Sequence, residues 1–423
     1  MRKNVAKGLL GNIGPFLVVG SIGILMNKGL NIGLIVLLLA SVMVGGVSGK
    51  GDDNGDLLDT DIRILGIGTS EKSEFVVQKL DLMISIELNR NVMAGDFNQY
   101  RISGGVIDAS GRESKREVLF QRITEIEIES MDLIDEFKRV RQKWNDGLID
   151  TDQLYRELML ISTKSDVLKS ALDHIEKETD SISQIELSGR IRSIEERLIP
   201  LTGPIRTYMI SIASGERQSE EICVSASSNG LSLSVIKGTQ YIREAYRGDQ
   251  QSVAGVGGIS LDEASERTAE LYPTAYDSRI SQQTGIMGEG RGYRIEIGFR
   301  SGSLTSYLDG ETQNVFYEIQ QRRLGTLISE FTMEVSGEDT SVIIERGFAG
   351  GPMKVTVYDE ITQKTIPATF RIGEERVVNI NRGGKWILAP IEMTEAKITR
   401  GSEEVVIEIY PTAYEKVKIK NKE

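Results

Sequence analysis

The sequence predicts an α+β multidomain chain, and three features carry that prediction. Between positions 119 and 198 apolar residues recur every three or four residues, the spacing of long amphipathic helices. From about residue 220 the period changes to two, and from about residue 331 short strands and glycine turns alternate to the end. A basic and then strongly apolar N-terminus precedes all of this. A chain of 423 residues also exceeds what one hydrophobic core usually supports.

Residues 1–49 read as a signal peptide or membrane anchor. From Met26 the order is a base at Lys28, an apolar run from Leu30 to Val44, and small residues at Val47 and Gly49. That is the order of a secretory signal, and the run is short for a membrane span. Upstream, "MRKNVAKGLLGNIGPFLVVGSIGILM" is a second basic-then-apolar stretch, broken by Asn12, Gly14 and Pro15. Three readings stay open: a start at Met26, one long anchor, or a two-span hairpin turning at Asn27-Lys28-Gly29. The hairpin would translocate Lys28, against the positive-inside rule. Export of everything after Lys50 is therefore expected, cleaved or anchored, with membrane contact through residues 9–47 and an extracytoplasmic, cell-surface or membrane-anchored location.

Residues 50–60 form an acidic linker. Asp52, Asn54 and Asp56 alternate like the opening of a calcium loop, but Leu57 stands where the turn needs glycine and Arg63 where it needs an acid, so no metal is assigned. Residues 61–111 read as a small α/β unit, with "DIRILGIGTSEKSEF" as a buried strand, a glycine turn and a helix start. Gly66 and Gly68 lack both the third glycine of a dinucleotide site and a following Gly-Lys-Ser/Thr.

Residues 112–215 read as an antiparallel coiled-coil helical hairpin plus short helices. One seam runs Leu119, Ile123, Ile126, Ser130, Leu133, Phe137, Val140 and Trp144. Asp146-Gly147 breaks it, and Asp150 with Gln153 forms a capping pair. The second seam runs Leu154, Leu158, Ile161, Ser165, Leu168, Leu172, Ile175 and Ile182, with Thr179 filling the remaining step. Helices with such seams and a short connection pack antiparallel. Leu187, Ile191, Ile194 and Leu198 mark a third helix, and Pro204 and Gly215 bound a short fourth.

Residues 220–325 read as an α+β domain. It has a hairpin turning at Asn229-Gly230, a helix capped by Ser260 and Glu263, the strand "YRIEIGF", and two strands turning at Asp309-Gly310. Residues 331–416 read as an Ig/transthyretin-like β-sandwich, with turns at Gly337, Gly350-Gly351-Pro352, Gly383-Gly384 and Gly401.

Three resemblances follow from these residues. "SLDEASERTAELYP…YRIEIGFRSGSLTSYLDGETQNVFYEIQ" resembles a PepSY-type module with its "Y-x-D-x-x-T-G" turn: Tyr307, Asp309 and Thr312 fit, and Gln313 replaces the glycine. "GGPMKVTVYDEITQKTIPATFRIGEE" resembles the carboxypeptidase-regulatory or transthyretin-like sandwich, with Asp359, Thr362, Ile366 and Ala368 fitting and Lys364 and Thr365 departing. The whole order of segments is similar to uncharacterised exported proteins of haloarchaea and their relatives. The first resemblance implies regulation or inhibition of an exported peptidase. The second implies a spacer or adhesive module.

Little in the sequence supports catalysis. His174 is the single histidine and lies off the apolar seam, so no histidine cluster or Ser-His-Asp triad is expected. Cys223 is the single cysteine, which excludes an intramolecular disulfide, and its alternating surroundings predict a buried strand position. Arg247-Gly248-Asp249 matches an integrin tripeptide that is frequent by chance. Paired carboxylates of a carbohydrate-active enzyme remain an alternative among 62 acidic residues, although 6% aromatic content offers few sugar platforms. Beyond the first 49 residues, 46 bases stand against 62 acids, a balance of −16 that repels phosphate backbones. A non-catalytic protein is expected, with no cofactor, no metal, no catalytic residue and no nucleic acid, its partners proteins bound through the coiled coil or the sandwich.

Overall fold

The computed structural model describes residues 64–67, 72–180, 185–252, 258–288, 291–327, 331–374 and 376–410. The expected signal, anchor and acidic linker lie outside these residues, as does Gly68. The fold is a mixture of helices and antiparallel sheets that ends in a β-sandwich.

An eight-stranded sheet forms the centre. Its strands are β1 (Lys72–Gln78), β2 (Glu220–Ala226), β3 (Gly230–Lys237), β4 (Gln240–Arg247), β5 (Arg279–Met287), β6 (Gly292–Phe299), β7 (Gly302–Asp309) and β8 (Val315–Arg323). They lie in the order β1-β2-β3-β4-β8-β7-β6-β5, every pair antiparallel. Two meanders thus meet along their last strands, with Ala245 opposite Glu318 and Tyr246 opposite Tyr317.

Five helices are inserted between β1 and β2: α1 (Leu82–Asp108), α2 (Arg112–Asn145), α3 (Thr151–Asp180), α4 (Ile185–Leu198) and α5 (Pro204–Ala213). All eight expected seam residues of α2 are buried, as are those of α3 from Leu154 to Ile175 and the four of α4. They share one apolar cluster with Ile222, Val224, Leu233, Val235 and Tyr246 of the sheet. The α2–α3 hairpin is therefore one part of a helical layer that also includes α1 and α4. At its turn, Asp150 Oδ1 accepts from the Gln153 N–H at 2.7 Å, and the buried Trp144 indole donates to Thr151 at 2.9 Å.

Side chains alternate across a strand, so Ala245 faces the opposite side from Tyr246. On that second side α6 (Leu261–Leu271), α7 (Pro273–Asp277) and residues 64–67 cover the β5–β8 half, around Ala264, Tyr272, Tyr293, Ile295 and Leu304. Ser260 and Glu263 form the expected capping box on α6.

The C-terminal sandwich has strands β9 (Phe331–Ser336), β10 (Thr340–Arg346), β11 (Pro352–Asp359), β12 (Ala368–Ile372), β13 (Arg376–Ile380), β14 (Lys385–Leu388), β15 (Thr394–Arg400) and β16 (Glu403–Ile409). Sheets β14-β11-β10-β9 and β13-β12-β15-β16 enclose Val342, Ile344, Val355, Phe370, Ile398 and Ile407. The sandwich packs on the second side of the central sheet. There Ser234 Oγ donates to the Gly350 carbonyl at 2.9 Å, Arg376 pairs with Glu221, and Phe348 meets Tyr241 edge-on.

The structure departs from the sequence reading in the stretch before residue 112. Where a helix start was expected near Ser73, the chain is strand β1, because all seven of its residues find partners on β2. Residues 64–67 form no strand and lie against the sheet as a covering segment. The helix that follows is the 27-residue α1, capped by Asp81, whose carboxylate accepts from the Met83 and Ile84 N–H groups. β5 is an added edge strand with a mostly polar, exposed pattern.

Candidate functional site

The unusual chemistry of the molecule lies where β4 meets β8. Glu244 and Glu318 are both buried there, and the register places them on opposite faces of the sheet. Glu244 points under the helices, where Arg206 of α5 stands 3.3 Å away as a charge contact and the Ile205 N–H donates at 3.1 Å. Gly203, just before α5, permits this approach: a Cβ there would stand 2.1 Å from Glu244 Oε2. Burial pushes the Glu244 carboxyl above its ordinary range, with Arg206 and the Ile205 N–H working against that rise.

On the other face Glu318 accepts from the Arg243 guanidinium at 3.0 Å, the Leu65 N–H at 2.8 Å and the Tyr272 hydroxyl at 2.6 Å. Arg243 also donates to the Leu65 carbonyl at 2.8 Å. One carboxylate thus ties residues 64–67, the α6–α7 corner and the sheet together. Burial raises its pKa too, opposed by Arg243 and Tyr272. Each glutamate thus has one arginine and one backbone N–H against the cost of its burial.

Arg141 of α2 breaks the balance. Its side chain is buried over Phe137 at 4.9 Å and near Tyr246, and Arg206 lies over the same Phe137 ring at 5.2 Å. Nε and Nη1 of Arg141 have no hydrogen-bond partner among the described residues, and burial lowers its pKa. Arg206 thus carries both the Glu244 contact and the repulsion of a second buried guanidinium.

A second group of charges lies on the α3–α4 face. Burial, reinforced by Asp173 and Glu176, pushes Glu195 up to about 7, while Lys169 and Arg192 oppose the rise. Among the described residues no three His, Cys, Asp or Glu side chains converge as a metal-ligating group.

The residues singled out in the sequence scatter across the molecule. His174 accepts or donates a 2.7 Å hydrogen bond with Ser103 of α1, so it serves helix packing and is less exposed than its seam position implied. Cys223 is buried on β2, its thiol pushed up to about 12 by burial. Arg247 is held by Asp249 and by the Gly66 carbonyl, so the tripeptide's two charges pair with each other. Ser130 donates to the Glu127 carbonyl of its own helix and does not pair with Ser165. Asp309 Oδ1 accepts from the Glu311 and Thr312 N–H groups, and Gln313 adopts φ 55°, the left-handed geometry a glycine would take there. Gln363 repeats that conformation, with φ 52°, beside Asp359 and Thr362 in the sandwich.

Sequence reasoning missed the outer face of α1. Met83, Ile86, Met93, Phe97, Tyr100 and Ile107 are all exposed, between 67% and 77%, although their spacing is that of an apolar seam. The signal was present at steps of three, four and seven, masked by Arg90, Gly95, Gly104 and Gly105 within the run. Gly95 is needed on the inner face, where a Cβ would stand 2.4 Å from Val167 of α3.

Comparison with known proteins divides the chain into three stretches. Residues 26–218 match the model of a domain of unknown function (DUF7096), and residues 222–328 that of a family of unknown function (DUF7094). Residues 332–407 match an archaeal fibronectin-III type-like domain, which gives the sandwich a different relative from the transthyretin-like one its hairpin motif implied. No curated protein and no solved structure matches the chain. Among the described residues no helix is long and apolar enough to cross a membrane. In its three matched stretches the chain is similar to archaeal families, two of them of unknown function.

Proposed function

We propose that the chain is a non-catalytic extracytoplasmic protein, at the cell surface or anchored to the membrane, that works by presenting interaction domains. The observation that carries this reading is the sandwich, with its apolar core and its likeness to a fibronectin-III type module, an architecture that recurs in cell-surface proteins. The N-terminal order of base, apolar run and small residues supports export. Glu244 and Glu318, each held by an arginine and a backbone N–H, support a structural use of the buried charges. The test is intact-mass and N-terminal peptide analysis of protein from fractionated native cells, with protease added outside. A new terminus near Lys50, or cleavage of the sandwich in whole cells, is expected. An intact Met1 with a protected C-terminal region would overturn the reading.

A second reading draws on α6, β6–β8 and the Asp309 turn, which support a PepSY-like unit that regulates an exported peptidase. Under it, a peptidase co-purifies with the chain and is inhibited by it. An unchanged peptidase rate excludes it.

A further inference from the structure

The outer face of α1 carries a heptad seam that stays exposed among the described residues. Positions 83, 86, 90, 93, 97, 100, 104 and 107 follow alternating steps of three and four. Six hold the large apolar residues named above; the other two are the exposed Arg90 and the half-buried Gly104, where an added Cβ would meet nothing within 4 Å. The opposite face, with Ile84, Leu88, Gly95, Ile102 and Val106, is already packed on the helical layer. A period of 3.5 residues over a helix about 40 Å long is the pattern of a surface shaped for another helix.

We propose that α1 is a homodimerisation helix, its outer seam packing antiparallel against the same seam of a second copy. The seam is symmetric about residue 95, so an isologous two-fold contact matches each position with its mirror. Phe97 meets Met93 of the second copy, a sulfur–aromatic contact, and Tyr100 meets Arg90, a cation–π contact. Ile86 fills the space left by Gly104, and Met83 packs on Ile107. On one edge Glu87 of each copy lies beside Arg101 of the other, both exposed in the single chain. The six apolar side chains, with Leu82 at the rim, bury roughly 600–800 Å² per copy, at the lower end of stable interfaces. A lipid surface fits less well: interfacial helices carry a basic rim, whereas α1 sets Arg90 and Arg101 against Glu87, Asp96 and Asp108. The proposal deepens the reading of the chain as an interaction protein and rests on it, without depending on export.

The full chain in neutral detergent, followed by sedimentation velocity, is expected to dimerise in the low micromolar range, and Met93→Glu/Phe97→Glu to weaken the dimer by about 100-fold or more with unchanged far-UV circular dichroism. Differently tagged chains carrying Met93→Cys and Phe97→Cys, co-expressed and oxidised, are expected to form a mixed disulfide; the buried native Cys223 stays silent. A chain monomeric at about 50 µM, a dimer unaffected by the glutamates, or no more mixed disulfide than an Ile286→Cys/Ile361→Cys control pair would overturn the proposal. So would a monomer whose positions 93 and 97 are shielded by lipid or by the chain's own residues 9–47. A dimer found inside the cell would defeat export and leave this contact standing; a surface-exposed monomer would do the reverse.

Discussion

Replacing Glu195 by glutamine is expected to stabilise the helical layer, and more so at alkaline pH. Glu195 of α4 is half-buried against α3, where Asp173 and Glu176 add negative charge, and its pKa is pushed from 4.5 up to about 7. The folded chain therefore holds a proton between pH 4.5 and 7 that the unfolded chain has lost. Stability falls as pH rises through that window, and above it both states are ionised with the folded one strained. The full shift corresponds to about 3.4 kcal/mol at 1.36 kcal/mol per unit. Solvent screening of a partly exposed group reduces this to about 1–2 kcal/mol. Urea unfolding followed by far-UV circular dichroism at pH 5 and pH 8 reads the difference. The advantage of Glu195→Gln over wild type is expected to grow by about 1 kcal/mol between the two pH values. An advantage independent of pH, or a variant less stable than wild type at pH 8, would refute the reasoning.

Three further predictions concern the core and the turns. Glu244→Gln leaves Arg206 buried without its carboxylate and is expected to cost about 3–5 kcal/mol, whereas Arg141→Met removes a buried charge whose Nε and Nη1 have no partner among the described residues and is expected to be neutral or stabilising in the same urea titrations. Gln313→Gly and Gln363→Gly each relieve a left-handed backbone and are expected to stabilise the fold by about 0.5–1 kcal/mol each, read as a raised thermal midpoint. Gly302→Ala would set a Cβ 1.9 Å from the Gln321 carbonyl oxygen and is expected to cost about 2–3 kcal/mol by forcing β7 from β8, read as a lowered urea midpoint.

Local pattern and long-range pairing divide what could be read in advance. The α2 and α3 seams were legible because each position repeats a period that only a helix satisfies, and those described are buried. Turns at Gly337, Gly350 and Gly383 marked the sandwich strands, since glycine punctuates short strands strongly. The β1–β2 pairing was not legible: its partners are separated by five helices, and "KSEFVVQ" carries no marker of a strand that far away. β5 was missed because "RISQQTGIM" is mostly polar and shows no alternation of apolar and polar residues, as an edge strand can. The Arg206–Glu244 and Arg243–Glu318 pairs depend on register between distant strands, which no local spacing reveals. The matched stretch 26–218 supplies β1 to a sheet built otherwise from the stretch 222–328, so the family boundaries do not mark the edges of the fold.

The most direct test of the extracytoplasmic reading uses a single engineered thiol. Ile361 lies in the turn between β11 and β12 with 82% of its surface exposed, while Cys223 is buried with its thiol pushed up to about 12. A membrane-impermeant maleimide applied to intact native cells is expected to label Ile361→Cys at the level reached after lysis, and to leave the wild-type chain unlabelled. Labelling of Ile361→Cys only after lysis would place the sandwich inside the cell and contradict the account.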